Sequence, residues 1–196
     1  MAHPQQKRMT ADEFLVWHLS QDGKYELVDG LPVPHRAMAG GSTQHNWIAA
    51  NIQGHLFAQL RGSPCMPMGS DAAIRTSIEQ VRFPEVLVDC TPPDPTVYEA
   101  RNPIALFEVL SPTTRTYDFQ IKFTEYMRHP SLRTIVLIES ERMDVLVHTR
   151  DDAGHWPPVR LRQPTDRVPI DGTAASLTLA EIYERVEFAP AANGPA

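Results

Sequence analysis

The sequence predicts one mixed α/β domain: a central mixed β-sheet flanked by helices and preceded by an N-terminal helix and a β-hairpin. Three observations point there. Segments with helical spacing are interspersed with short apolar runs bounded by Pro, Gly, Asn and Asp, the pattern of helices layered on a sheet. The chain has 196 residues, enough for one sizeable core and cramped for two. No segment repeats another, and the 42% hydrophobic content is that of a water-soluble globular protein.

Each element follows from a local signal. Residues 1–9, with "HPQQKR", show no periodicity and read as a flexible leader. Thr10 and Glu13 have capping-box spacing and open a short helix through Phe14, Leu15 and Trp17. "YELVDGLPV" alternates around Asp29-Gly30, the strongest hairpin signal in the chain. After a loop with Gly40, Gly41 and Ser42, "TQHNWIAANIQGHLFAQL" places Trp47 or Ile48, Ile52, Leu56 and Leu60 on one face of a long amphipathic helix. Strands are expected around "DAAIRT", "FPEVLVDC" and "PIALFEVL", the last two separated by a Pro-rich solvent loop.

A helix over 118–128 ends at His129-Pro130, and "TIVLIE" and "MDVLVHT" follow as a buried strand and its alternating neighbour. "GHWPPVRLRQPTDRVPIDG" is loop and edge-strand material. Thr178 with Glu181 caps a last helix, "LAEIYERV", and residues 189–196 read as a disordered tail. The domain therefore spans 10–188. Trp17, Trp47, Phe57, Phe107 and Phe123 are expected in the core and Trp156 at the surface.

Composition narrows the function. A net charge of −6 argues against a protein that binds nucleic acid passively by neutralising phosphates, yet leaves room for an enzyme whose acidic residues hold a cation. No apolar run approaches the ~20 residues of a membrane span. No basic stretch followed by an apolar one opens the chain, so no secretory signal is expected. Cys65 and Cys90 make no disulfide framework, and a reducing cytoplasm is the natural reading. No zinc-spaced His/Cys set, nucleophile elbow or phosphate-binding glycine loop occurs.

Two carboxylates stand out. Glu108 interrupts "IALFEVL", sharing a strand face with Ile104, Leu106 and Leu110. Glu85, after Pro84, opens the apolar "VLV" run. An unpaired charge on such a face is costly, so each needs a cation, hydrogen bonds or a cleft. Together they offer oxygen ligands to a hard cation such as Mg²⁺, with a backbone carbonyl and waters completing the set. Lys122 on the next helix reaches the site only if its face turns toward the sheet, which periodicity does not decide. The plainer alternative is a strand-end salt bridge for each glutamate and a solvated Lys122, paired with Asp118 at i, i+4. Candidate supporting residues are His45 at a helix start, and Thr113 and Arg115, which either bind phosphate or cap the following helix.

The series "YELVDG", a histidine in the long helix, "FPEVLV" and "FEVLSPTTRTYD" followed by Lys122 and Tyr126 resembles the Uma family of bacterial putative restriction endonucleases, within the PD-(D/E)XK nuclease superfamily. The likeness runs from about Thr10 to Arg150, and "EVLSPTT…D…K…Y" is its most specific block. It implies a restriction-endonuclease-like fold, a Mg²⁺ or Mn²⁺ ion held by Glu85, Glu108 and the Val109 carbonyl, and DNA phosphodiester hydrolysis in which Lys122 assists the attacking water. It also makes Glu108 the acid of the third core strand and Lys122 a lysine displaced from the usual position, here Leu110. Glu26 matches the family's hairpin as a supporting residue. DNA is the implied partner and a homodimer the implied assembly. The family's Pro-Asp step reads Pro84-Glu85, and the extra methylene moves the carboxylate on the ~1 Å scale to which active sites are sensitive. A weakened nuclease is therefore expected, the alternatives being an inactive nuclease-fold binding protein and a hydrolase of small phosphoesters.

Overall fold

The computed structural model describes residues 8–34, 42–110 and 118–188. Helix α1 (Ala11–His18) begins with the expected capping box: the Glu13 N–H donates to Thr10 Oγ1 while the Glu13 carboxylate accepts from the Thr10 N–H. Strands β1 (Tyr25–Val28) and β2 (Leu31–Pro34) pair antiparallel across Asp29-Gly30, whose φ values of 49° and 74° are those of a tight hairpin turn. Of the leader, only Arg8 and Met9 lie among the described residues, and the Met9 N–H donates to the Gly30 carbonyl. The tail, residues 189–196, lies outside them.

Helix α2 (Thr43–Gln59) turns Ile48, Ile52 and Leu56 inward, with Leu60 at its C-cap. That phase makes Ile48 the core residue and corrects the expectation for Trp47 and Phe57, which are 46% and 50% exposed. Six strands form the main sheet in the order β10-β9-β8-β7-β6-β3: β3 (Met66–Gly69), β6 (Val86–Asp89), β7 (Pro103–Leu110), β8 (Thr134–Glu139), β9 (Val145–Thr149) and β10 (Pro158–Leu161). Among these six strands only β7 and β8 run parallel, joined by a crossover containing helix α3 (Asp118–Met127). A second sheet, β2-β1-β5-β4, adds β4 (Ile74–Ser77) and β5 (Gln80–Arg82) to the N-terminal hairpin. A small ribbon, β11 (Arg167–Pro169) and β12 (Ser176–Thr178), leads into helix α4 (Leu179–Ile182). The capping box at Thr178 is present, but the helix is shorter than "LAEIYERV" because Tyr183 is its C-cap and Arg185 takes φ 59°.

Alternation along β7 separates two cores. Ala105, Phe107 and Val109 pack toward α2 and α4, whereas Leu106 packs with Leu87, Tyr126, Ile135 and Leu137 on the α3 side. A third cluster joins α1 to the second sheet through Phe14, Leu27 and Val81. Trp156, expected at the surface, instead packs against the α3-side core and donates Nε1 to the Met127 carbonyl at 3.2 Å.

Cys65 and Cys90 form a disulfide, against the expectation of a reducing cytoplasm with no disulfide framework. They continue the Met66↔Asp89 register of β3 and β6 by one step, a neighbourhood invisible until β3 is placed. Among the described residues no helix is long and apolar enough to cross a membrane.

Candidate active site at the end of the central sheet

Register brings the two carboxylates together. Val86 on β6 lies opposite Phe107 on β7, and one further step outward sets Glu85 opposite Glu108 where β6 begins. By alternation Glu108 projects to the α3 side of the sheet, the side that carries Leu106.

Helix α3 answers with three residues on one face, at i, i+3 and i+4, each reaching a different element. Lys122 Nζ donates to Glu26 Oε1 on β1 at 2.6 Å. Glu125 accepts from Arg82 on β5, through Nη2 at 2.7 Å and Nε at 2.8 Å, and from Thr76 Oγ1 at 3.1 Å. Tyr126 Oη donates to Glu108 Oε1 at 2.8 Å. Arg82 and Glu26 are cross-strand neighbours, one step beyond Leu27↔Val81, and Arg82 Nη1 donates to Glu26 Oε2 at 3.1 Å. The result is a connected chain, Lys122–Glu26–Arg82–Glu125, buried beside the Glu85–Glu108 pair. The solvated-lysine alternative gives way, since Lys122 is an interior partner of Glu26 with its side chain 19% exposed.

Helix α2 closes the other flank. Buried His45 places Nε2 3.0 Å from the Val109 carbonyl and 3.5 Å from Glu85 Oε1. A carbonyl only accepts, so Nε2 carries the proton; Nδ1 is buried and finds no hydrogen-bond partner among the described residues. The Ser42 side chain caps this helix by accepting from the His45 N–H.

Electrostatics mark Glu108 as the unusual group. Burial pushes its pKa up to about 7, with Glu85 and Glu26 adding to the rise, against the opposing pull of Lys122 and the Tyr126 hydroxyl. The Tyr126 hydroxyl is itself raised well above its ordinary value by burial and by Glu108, so it remains a donor. Burial alone would lower Arg82, but Glu125 and Glu26 more than offset it and hold the guanidinium above its ordinary value.

These donors suit a hard cation. Two carboxylates and the second lone pair of the Val109 carbonyl supply oxygen ligands of the kind Mg²⁺ takes together with several waters. A divalent ion would also offset the burial and, in smaller part, the carboxylate repulsion that raise Glu108. Among the described residues no group of three His, Cys, Asp or Glu side chains converges as a dedicated metal cage.

The structure thus brings Glu85, Glu108, Val109, Lys122, Glu26 and His45 to one place, while Thr113 and Arg115 lie outside the described residues. Sequence reasoning missed Arg82 and Glu125, and noted Tyr126 without a role. The K-x-x-E-Y spacing on α3 was the available signal. A cleft of about 550 Å³ runs between α3 and the β4–β5 hairpin past Thr76, Gln80, Glu125 and Arg128, bordering the network at Glu125, and neither Glu85 nor Glu108 lines it.

Three comparisons bear on this geometry. A family model described as "Putative restriction endonuclease" (Uma2) matches residues 11–180. Uncharacterized protein slr1290 of Synechocystis sp. is 29% identical over 183 residues, covering 92% of this chain and 94% of its own. The crystal structure of "a putative nuclease belonging to DUF820" from Anabaena variabilis superposes with a TM-score of 0.69, covering 89% of this chain and 97% of that one. At 15% identity that likeness speaks for the fold alone.

Proposed function

The chain belongs to the Uma2 family of putative restriction endonucleases, and from that membership we propose that it is a divalent-cation-dependent nuclease hydrolysing DNA phosphodiester bonds at the Glu85–Glu108 pair. The observation that carries the reading is the convergence of two carboxylates, a backbone carbonyl and an interior lysine at one end of the sheet.

Glu85, Glu108 and the Val109 carbonyl would hold Mg²⁺ or Mn²⁺. When bound, the cation supplies a Lewis acid that polarises the phosphodiester and makes water more acidic. The protein's own groups do the rest. Tyr126 fixes the Glu108 carboxylate through its hydroxyl, and His45 steadies both Glu85 and the Val109 carbonyl. An ammonium has three donors, and Glu26 takes one from Lys122. The others can orient the attacking water and stabilise charge developing on the phosphoryl oxygens. Glu26 is in turn held by Arg82, so the ammonium is presented from a fixed base.

Glu85 and the acidic net charge also favour a second reading, a nuclease-fold protein that binds without cutting. Calorimetric titration with Mn²⁺ distinguishes a working cation site from its absence. One binding event is expected, lost in Glu108→Ala. It should weaken about tenfold per unit as pH falls below about 7, because the proton competes for Glu108. No heat of binding, or equal binding by native protein and Glu108→Ala, would remove the carboxylate pair from the proposal.

A further inference from the structure

We infer that Arg142, Arg160 and Arg162 form a docking surface for the phosphate backbone of duplex DNA, at the same end of the sheet as the carboxylate pair. The inference deepens the proposed function and rests on it for the identity of the polyanion.

Three guanidinium groups converge on one carboxylate. Asp144 Oδ2 accepts from Arg142 Nε at 3.4 Å and Arg162 Nη2 at 3.5 Å, Arg160 Nε pairs with Asp144 Oδ1 at 3.0 Å, and Arg142 also lies 3.6 Å from Glu139. The charges are layered. The Asp144 side chain is 6% exposed, whereas those of Arg142, Arg160 and Arg162 are 55%, 52% and 58% exposed. Asp144 cannot saturate three forked donors with five N–H groups each, so most of their hydrogen-bonding capacity faces outward.

Position links this surface to the chemistry. Glu139 ends β8 opposite Leu110, two residues beyond Glu108 on β7. Val145 begins β9 beside it, and Leu161 ends β10 opposite Val145. The connecting loop is pinned to the same helix start as the site: Gln44 Nε2 donates to the Ser140 carbonyl at 2.7 Å, and the Ser140 N–H donates to the Leu110 carbonyl at 3.1 Å. From β7 to β10 is three strand spacings, roughly 14 Å, or about four nucleotides along one strand of duplex. A backbone with its scissile phosphate at Glu108 would therefore cross the arginines within half a turn. In an acidic chain, such a row answers the charge objection to nucleic acid locally. Glu141, at the tip of the same loop, is an exposed carboxylate that opposes it.

The test is binding of the full chain to a fluorescent duplex in EDTA, which separates docking from cleavage, across a salt series. For Arg160→Gln/Arg162→Gln the slope of log affinity against log salt should become shallower by about two. The double lysine variant should keep the native slope, and Glu141→Gln should tighten binding. Asp144 keeps Arg142 in the double variant, so the fold is retained. Arg133→Gln serves as control, because Arg133 is equally exposed (58%) but precedes β8 at the opposite end of the sheet. An unchanged slope in the double variant, or an equal loss in Arg133→Gln, overturns the inference. So does failure of the native protein to bind duplex, or binding of polyglutamate as tightly through the same arginines, which would indicate an acidic protein partner. Cutting with an arginine-independent slope would sink this surface and spare the nuclease reading; arginine-dependent binding without cutting would do the reverse.

Discussion

Lys122→Ala is expected to lower DNA cleavage by about 100- to 1,000-fold, the scale of removing one preorganised charge-stabilising donor, with little change in folding. Two features of the structure separate those effects. The ammonium sits beside Glu108 and pulls its pKa down, so removing it costs the reaction both a donor and the ionised form of the carboxylate. Its buried partner, Glu26, is not stranded, because Arg82 still donates to it at 3.1 Å. Cleavage assays paired with a thermal melt test this: full activity in a folded Lys122→Ala protein would remove Lys122 from the site.

Arg82→Ala should have the opposite signature, a collapse of stability. Arg82 is 3% exposed and is the guanidinium shared by Glu26 and Glu125. Removing it strips Glu125 of its guanidinium and leaves Glu26 to Lys122 alone, and breaking a buried pair in this way costs about 3–5 kcal/mol. For a chain of this size that corresponds to a melting-point drop of roughly 6–20 °C. A drop within 2 °C would show that the network is open to water and contributes little. Arg82→Met combined with Glu125→Leu, which removes charge from both sides, should recover part of the loss.

The contrast between these two residues shows what the sequence could and could not reveal. Signals carried by a few adjacent residues were legible: the Asp29-Gly30 hairpin, the capping boxes at Thr10 and Thr178, the apolar face of α2, and the anomaly of Glu108 in an apolar strand. Resemblance supplied the link from Glu108 to Lys122, which spacing alone left open. What stayed hidden depends on register and on contacts across the chain. The strands β3 and β5 are four and three residues long and lack a periodic signal. Arg82 finds Glu125 43 residues away, and Cys65 finds Cys90 only once β3 is laid beside β6. Trp47 and Phe57 misled because aromatic residues at helical spacing suggest core, whereas one residue of phase decides which face is buried. Tyr126 stood in the motif that carries the resemblance, but its task of holding Glu108 follows from the crossover that lays α3 over β7.

In the proposed reaction the same register makes Glu85 the deciding position. Opposite Glu108, at the point where β6 begins, an aspartate would hold its carboxylate about one methylene closer to the strand. The native glutamate reaches further and meets His45 Nε2 at 3.5 Å. A nuclease weakened at this one position, with the rest of its site intact, should respond to shortening that arm.

Plasmid cleavage across divalent cations, comparing the native chain with Glu85→Asp, is the most direct measurement. Cleavage that requires Mg²⁺ or Mn²⁺, is abolished by chelation and is faster in Glu85→Asp is the predicted result. Intact plasmid with both proteins under every cation would contradict the nuclease assignment and leave the fold to a binding role.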